Sequence, residues 1–354
     1  MTHRFTLDPF EFFVLPARTR FPLRYGIASM TDVPHLFMRT RLQTGAHASA
    51  GLTSEGLPPK WFTKDPSTTF EQDLPALLAT IAHAAQTAEG LGRTPVTFFE
   101  LWRELYREQA TWAAVRSVPP LLAGLGVSLV ERAVLDGLCR ATRTPLHRMI
   151  AANELGVRLG DVYPELASAR PSDLLPRLPR RRCFVRHTIG LGDPLSPGEI
   201  RSEERADDGL PQDLETSIHA YGLRYFKAKL RGIPRDDSDR LRAILRVLNL
   251  STEGDFWLTV DGNENFHDFV AFQDFWKDVS EDSTLSQIST RTLAVEQPIH
   301  RDRALDDHAR ATIVRWEPRP SLIIDESDGA IGDVPSALSV GYTRASYKSC
   351  KGIG

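Results

Sequence analysis

At 354 residues the chain is long enough for two domains and for a large core. Apolar residues make up 41% and charged residues 25%, a soluble globular composition, and a net charge of −3 gives no electrostatic reason for a nucleic-acid or anionic-membrane partner. Three scattered cysteines (Cys139, Cys183, Cys350) suit neither a disulfide framework nor a zinc site. The opening residues lack a secretory pattern and no window nears the roughly 20 apolar residues of a membrane span, so a reducing, cytoplasmic setting is expected.

In the N-terminal third, Phe10–Leu15 and the alternating HLFMRTRL of His35–Leu42 predict strands of a small antiparallel sheet, with a turn near Gly45. From about Phe70, Leu74, Leu77, Leu78 and Ile81 recur with helical spacing. A second helix is expected around Phe98–Tyr106. A third is expected to start at Ser128, where Ser128 and Glu131 have capping-box spacing, with a core stripe of Val130, Val134, Leu138 and Ala141. Residues 1–150 therefore read as an α+β domain without a catalytic constellation of its own. The proline- and arginine-rich stretch 151–182 reads as a linker or crossover, helical in part around Ser172–Leu175.

From residue 183 to 354 strands and helices alternate, which predicts an α/β architecture with a parallel sheet. Six strands are expected: Cys183–Ile189, Leu223–Leu230, Phe256–Asp261, Leu293–Glu296, Leu322–Asp325 and one within Ser339–Lys348. Five ionisable residues mark the later strand ends: Lys229, Asp261, Glu296, Asp325 and Lys348, separated by 32, 35, 29 and 23 residues. A (β/α)8 barrel spends roughly 30 residues per unit and carries its chemistry at the C-terminal ends of its strands, so each landmark falls about one unit after the last. Singly, each acid is an ordinary loop carboxylate; their common spacing points to one shared mouth.

Three carboxylates with no His or Cys at matching places form an all-oxygen set, suited to Mg²⁺ or Mn²⁺ rather than Zn²⁺. Such a cation can hold a substrate carboxylate and offset the charge of the enediolate formed when an α-proton leaves. The lysines suit the base. Lys227 and Lys229, two apart, share a strand face, and their repulsion lowers the pKa of whichever is better desolvated. Lys348 would meet the substrate from the other side, which permits proton removal on one face and return on the other. Asn263, Gln297, Glu326 and Lys351 flank these positions as candidates for supporting or substrate contacts. His187, His267, His300 and His308 are expected on the polar surface, and nothing argues for Cys350 as a nucleophile.

FKAKL, TVDGN, AVEQP, IIDES and YKSCKG, in that order, resemble the enolase superfamily, most closely its mandelate racemase/muconate lactonizing enzyme branch with the dipeptide epimerases. (The superfamily's use of Lys or His bases with Mg²⁺ is a general precedent.) The resemblance implies an α+β capping domain followed by a TIM-type barrel. It implies Lys229 as base, Lys227 as its support and Lys348 as the opposing base. Asp261, Glu296 and Asp325 are implied as metal ligands. Arg24 and Tyr25, within a segment reaching Ala28, and a loop at Gly51–Gly56 are implied as substrate contacts. The implied reaction is Mg²⁺-dependent abstraction of a proton α to a carboxylate. Racemisation, epimerisation or cycloisomerisation of an amino-acid or dipeptide-like acid leads, and an o-succinylbenzoate synthase-like dehydration follows. The expected barrel is incomplete, with about six strands, so a non-catalytic barrel fragment is the remaining alternative. The expected partner is a small carboxylate, and homo-oligomers are common among such barrels.

Overall fold

The computed structural model describes residues 2–25 and 28–352, and the side chains of residues 23–29 lie outside that description. The front of the chain forms a five-stranded antiparallel sheet from β1 (Arg4–Leu7), β2 (Glu11–Tyr25), β3 (Ala28–Thr44), β4 (His47–Gly56) and β5 (Val96–Thr97). The strands run β2-β3-β1-β5, with β4 on the other side of β3. The two expected strands lie mostly within β2 and β3 and pair with Phe13 opposite Phe37. Gly45, at φ +56°, makes the expected turn. The alternation seen in HLFMRTRL has its predicted effect: Leu36, Met38, Thr40 and Leu42 are all buried on one face.

Gly51–Gly56, expected as a loop, is instead the second half of β4, paired residue by residue with β3. Gly51 is there because the strand presses against a helix: a Cβ at this position would stand 2.0 Å from the carbonyl oxygen of Ala133. Gly51 is a close-packing glycine within a strand.

The helices of this part are α1 (Pro59–Thr63), α2 (Phe70–Leu91), α3 (Phe98–Val115), α4 (Pro120–Thr142) and the short α5 (Leu146–Ala151), which adds Met149 to the core of this part. Helix α2 is capped by Thr69, with Gln72 reaching back to close a capping box, and α3 repeats the device with Thr97 and Glu100. The start expected at Ser128 was misplaced. Pro119 and Pro120 begin α4, since proline suits the first helical turn, and Ser128 lies buried mid-helix, its hydroxyl donating to Ser349 O at 2.5 Å. The expected stripe holds at Val130, Val134 and Leu138, all fully buried in one core with Leu77 and Ile81 of α2, whereas Leu78 is 40% exposed.

The second half holds six parallel strands in sequential order: β6 (Arg186–Ile189), β7 (Tyr225–Lys229), β8 (Trp257–Asp261), β9 (Thr292–Glu296), β10 (Leu322–Ile324) and β11 (Arg344–Ala345). Helices between them, such as Pro234–Ser251 and Phe269–Glu281, cover the outer face and bury Phe226, Leu258, Val295 and Leu322 in a second core. Each expected strand exists, but the last is two residues long. Ser339 belongs to the helix Asp333–Val340, and Lys348 lies three residues past β11. Cys183–Val185 is not strand.

The front sheet reaches across to the long loop after β6, just before the helix Leu214–Tyr221. The guanidinium of Arg20 donates to both carboxylate oxygens of Asp208 at 2.5 Å and to the carbonyls of Leu210 and Pro211. The bond from Arg20 holds the Asp208 pKa down at about 2. A depressed carboxylate contributes fully above its ordinary value near 3.9 and loses the contribution as pH falls through about 2. An NMR titration should therefore give an Asp208 midpoint near pH 2, moving up toward 3.8 in Arg20→Ala. For Gly51→Ala, overpacking against α4 should cost about 1–3 kcal/mol, read as a lower denaturant midpoint at unchanged slope.

Candidate active site

The parallel register aligns the site. Lys229 is opposite Asp261, and Asp261 is opposite Glu296, so three strand ends set one lateral row. Asp325, just past β10, extends the row, because Glu296 pairs with Ile323, two residues earlier and on the same face. In β7, Phe226 and Ala228 point to the covering helices and leave Lys227 and Lys229 on the inner face. These five residues and Lys348 line a cavity of about 300 Å³, roofed by Met30, Pro58, Trp61 and Phe62 of the front part, except that Glu296 lies fully buried behind the lining.

Asp261, Glu296 and Asp325 are each at most 2% exposed. Lys227 Nζ stands between two of them, 2.7 Å from Asp261 Oδ2 and 2.9 Å from Glu296 Oε1. Lys348 Nζ pairs with Asp325 Oδ2 and is 4.0 Å from Glu296 Oε1. The three acids thus face one another across shared ammonium groups. Burial opposes charging of Lys227, but Asp261 and Glu296 outweigh it and raise its pKa. Lys229 goes the other way: burial, with the Lys227 charge adding to it, lowers its pKa despite Asp261. Of the two lysines, Lys229 is therefore the one shifted toward a neutral amine. Burial and the neighbouring Asp261 raise the Glu296 pKa, whereas at Asp325 the Lys348 and Lys351 charges overcome burial and lower it.

The donor chemistry fits a hard cation. Asp261 Oδ2, both oxygens of Glu296, Asp325 Oδ1 and Glu326 Oε2 are buried without an aligned hydrogen bond. Lysine ammonium groups stand between these acids, and among the described residues no three His, Cys, Asp or Glu side chains are grouped to hold an ion as they stand.

The supporting residues divide. Asn263, at φ +47°, accepts from Lys229 Nζ at 2.8 Å and donates its backbone N–H to Asp261 Oδ1 at 2.9 Å, so it orients both. Gln297 is fully buried and points away from the cavity. Its Oε1 accepts from the N–H of Asp325 at 2.9 Å, and its Nε2 donates to Ile299 O and Ser327 Oγ. Glu326 does line the cavity, and burial first, then Asp325 and Asp261, pushes its pKa up to about 8. Lys351 sits behind Asp325, on its backbone carbonyl and on Asp328 and Ser346, outside the cavity. Arg24 and Tyr25 lie, as side chains, outside the described residues. Cys350 borders the cavity with its thiol pushed up to about 11 by burial, which suits no nucleophile. Of the histidines, His187 is half-buried rather than on the surface, and burial lowers its pKa.

One cluster escaped the sequence reading. Arg301 clamps Glu264 through Nε and Nη2, both at 2.9 Å, and also donates to the carbonyls of Phe62 and Trp61 in α1. Lys64 joins it, 3.3 Å from Glu264 Oε2. Its partners are up to 240 residues apart in sequence, and only the turn GNEN, with Asn263 and Glu264 both at positive φ, hints at it.

The fold is similar to that of solved mandelate racemase/muconate lactonizing proteins, the branch of the enolase superfamily that the motifs resemble. Muconate lactonizing enzyme from Pseudomonas fluorescens, solved with muconolactone, superposes at a TM-score of 0.59 with 16% identity, over 99% of this chain and 74% of its own. N-succinyl Arg/Lys racemase from Bacillus cereus gives 0.60 and 14%, over 100% and 74%. An enolase from Bradyrhizobium, complexed with magnesium and mandelic acid, gives 0.54 and 14%, over 96% and 73%. At these identities the likeness is one of fold. No family model and no curated protein matches the chain.

Gln297→Ala would orphan the buried N–H of Asp325 and the Ile299 carbonyl. It should destabilise the protein by about 2–3 kcal/mol in chemical denaturation, since buried groups left unpaired carry their full desolvation penalty.

Proposed function

We propose that this chain is an enzyme of that superfamily which removes a proton α to a carboxylate, and that racemisation or epimerisation is its leading outcome. The observation that carries this reading is the acid row with a lysine at either end, Lys229 beside Asp261 and Lys348 beside Asp325. Cycloisomerisation and dehydration use the same row with one lysine as base and the other as a cation, so they stand behind it. The substrate is a small carboxylic acid, with no part for nucleic acid. No described helix is long and apolar enough to cross a membrane.

Asp261, Glu296 and Asp325 would hold a divalent cation, Mg²⁺ or Mn²⁺. When bound, it supplies fixed positive charge beside the substrate carboxylate as negative charge builds there. The chain's own residues do the rest. Lys229, desolvated and held by Asn263, accepts the α-proton, and Lys348, on the far side, donates one back. Lys227 stays charged between Asp261 and Glu296, which keeps those acids ionised and presses Lys229 toward neutrality. The roof of α1 excludes water, which strengthens these interactions.

In D₂O with Mg²⁺, the enzyme should exchange the α-proton of an N-acyl amino acid. Lys229→Ala and Lys348→Ala should each lower the exchange by roughly 10²–10⁴-fold, the usual worth of a positioned acid or base. Undiminished exchange in both would remove these lysines from the mechanism. Mg²⁺ should also raise the melting temperature of the wild-type protein and not that of Asp325→Asn, since binding to the folded state alone stabilises it.

A further inference from the structure

The turn after β8 does more than end a strand. Asn263 and Glu264 stand consecutively at φ +47° and +63°, a left-handed pair without glycine that persists only where its surroundings hold it. The holding groups come from two directions. From the barrel, the N–H of Glu264 donates to the carbonyl of Gln297 at 2.8 Å. The buried Glu264 carboxylate accepts from Arg301 three times: from the backbone N–H at 2.8 Å and from Nε and Nη2, both at 2.9 Å. From the front part comes Lys64, the residue that ends α1 and is itself left-handed at φ +48°. Its ammonium lies 3.3 Å from Glu264 Oε2 and donates to the Asn263 carbonyl.

Asn263 is thereby fixed at three points. Its carbonyl is on Lys64, its N–H on Asp261 Oδ1, and its side-chain Oδ1 is 2.8 Å from Lys229 Nζ. The route from the front part to Lys229 is two hydrogen bonds long. Resting on the reaction proposed above, we infer that Lys64, anchored by the Glu264–Arg301 pair, is a positioning residue for Lys229: it fixes the Asn263 amide that aims the amine at the proton it takes. Placement matters because reacting atoms must meet within about 3–3.5 Å, and a small misplacement far from the chemistry costs much of the rate. Arg301 also donates to the carbonyls of Phe62 and Trp61, so one guanidinium ties the roof helix to the turn that holds the amine. Lys348 is held by other partners, Asp325 and the ring of Trp61, whose centroid is 4.9 Å from its ammonium. Lys64 rather than Arg301 is therefore the residue to alter, since Arg301 holds the Trp61 carbonyl directly.

The first test needs no substrate. In the full chain labelled with ¹³Cε-lysine, the NMR signals of Lys229 and Lys348 are identified by their loss in Lys229→Arg and Lys348→Arg. Lys64→Met should move the Lys229 signal in the direction that Asn263→Ala moves it and leave that of Lys348 in place. Lys64→Arg, which keeps a cation facing Glu264 and the Asn263 carbonyl, should restore it. Glu264→Gln, which keeps the side chain's size and weakens its ion pairs, should give the same shift and serves if Lys64→Met does not fold. An unmoved Lys229 signal overturns the inference. So does equal movement of both signals, because a residue that merely seats α1 would disturb Trp61 and, with it, Lys348. The second test reads α-proton exchange of N-acetyl-L-leucine and N-acetyl-D-leucine in D₂O with Mg²⁺. Lys229 and Lys348 approach from opposite faces, so each serves one enantiomer. Lys64→Met should lower the maximal rate at least tenfold for the enantiomer that Lys229→Ala impairs, with KM and the other enantiomer within threefold. Equal loss for both enantiomers overturns the inference. The two readings fail separately: a Lys229 signal that moves as expected in an enzyme exchanging neither acid counts against the reaction and keeps the positioning, whereas exchange with an unmoved Lys229 signal does the reverse.

Discussion

Parallel pairing in register is what the site rests on. Because β7, β8 and β9 align Lys229, Asp261 and Glu296 side by side, charges far apart in sequence are forced into one buried row. Such a row is tolerable only if neighbouring signs alternate, since ionised groups removed from water must be paired. The chain meets this by interleaving ammonium groups with carboxylates: Lys227 between Asp261 and Glu296, Lys348 and Lys351 around Asp325. The same interleaving separates the two lysines of β7 in character. The one enclosed by acids has its pKa raised by them, and burial lowers that of the one beyond them.

Much of this was legible beforehand, for a physical reason. Period-2 burial and one ionisable residue per strand end are local patterns, so the strands and the three acids could be placed without coordinates. Legibility failed where the cause was not local. Ser128 and Glu131 have capping-box spacing, but Pro119 and Pro120 had already begun the helix, and the serine serves a contact 221 residues away. Gly51–Gly56 is expected as a loop until its pairing with β3 and the approach of α4 are known. Lys348 is expected at a strand end from its spacing, yet only Arg344 and Ala345 pair. Gln297 and Lys351 are candidates for either supporting or substrate contacts from the sequence, and only the structure decides between the two: both brace the Asp325 segment from behind.

Roof and floor divide the labour in a way composition could not show. The floor comes from strand ends and is ionic; the roof comes from a short helix near the front and is largely apolar, its charges neutralised in pairs. An ionic floor built from strand ends and an apolar roof built from a separate segment can vary independently, as expected when a site is grafted onto a scaffold.

Helix α1 has five residues, too few to hold a helical shape in water unaided. Two of its carbonyls find their donors on Arg301, contributed by the loop beyond β9. The lid is therefore not an independent part hinged onto a finished barrel: its conformation is borrowed from the barrel's own assembly. The front segment by itself would leave the Trp61 and Phe62 carbonyls without the donors that Arg301 supplies.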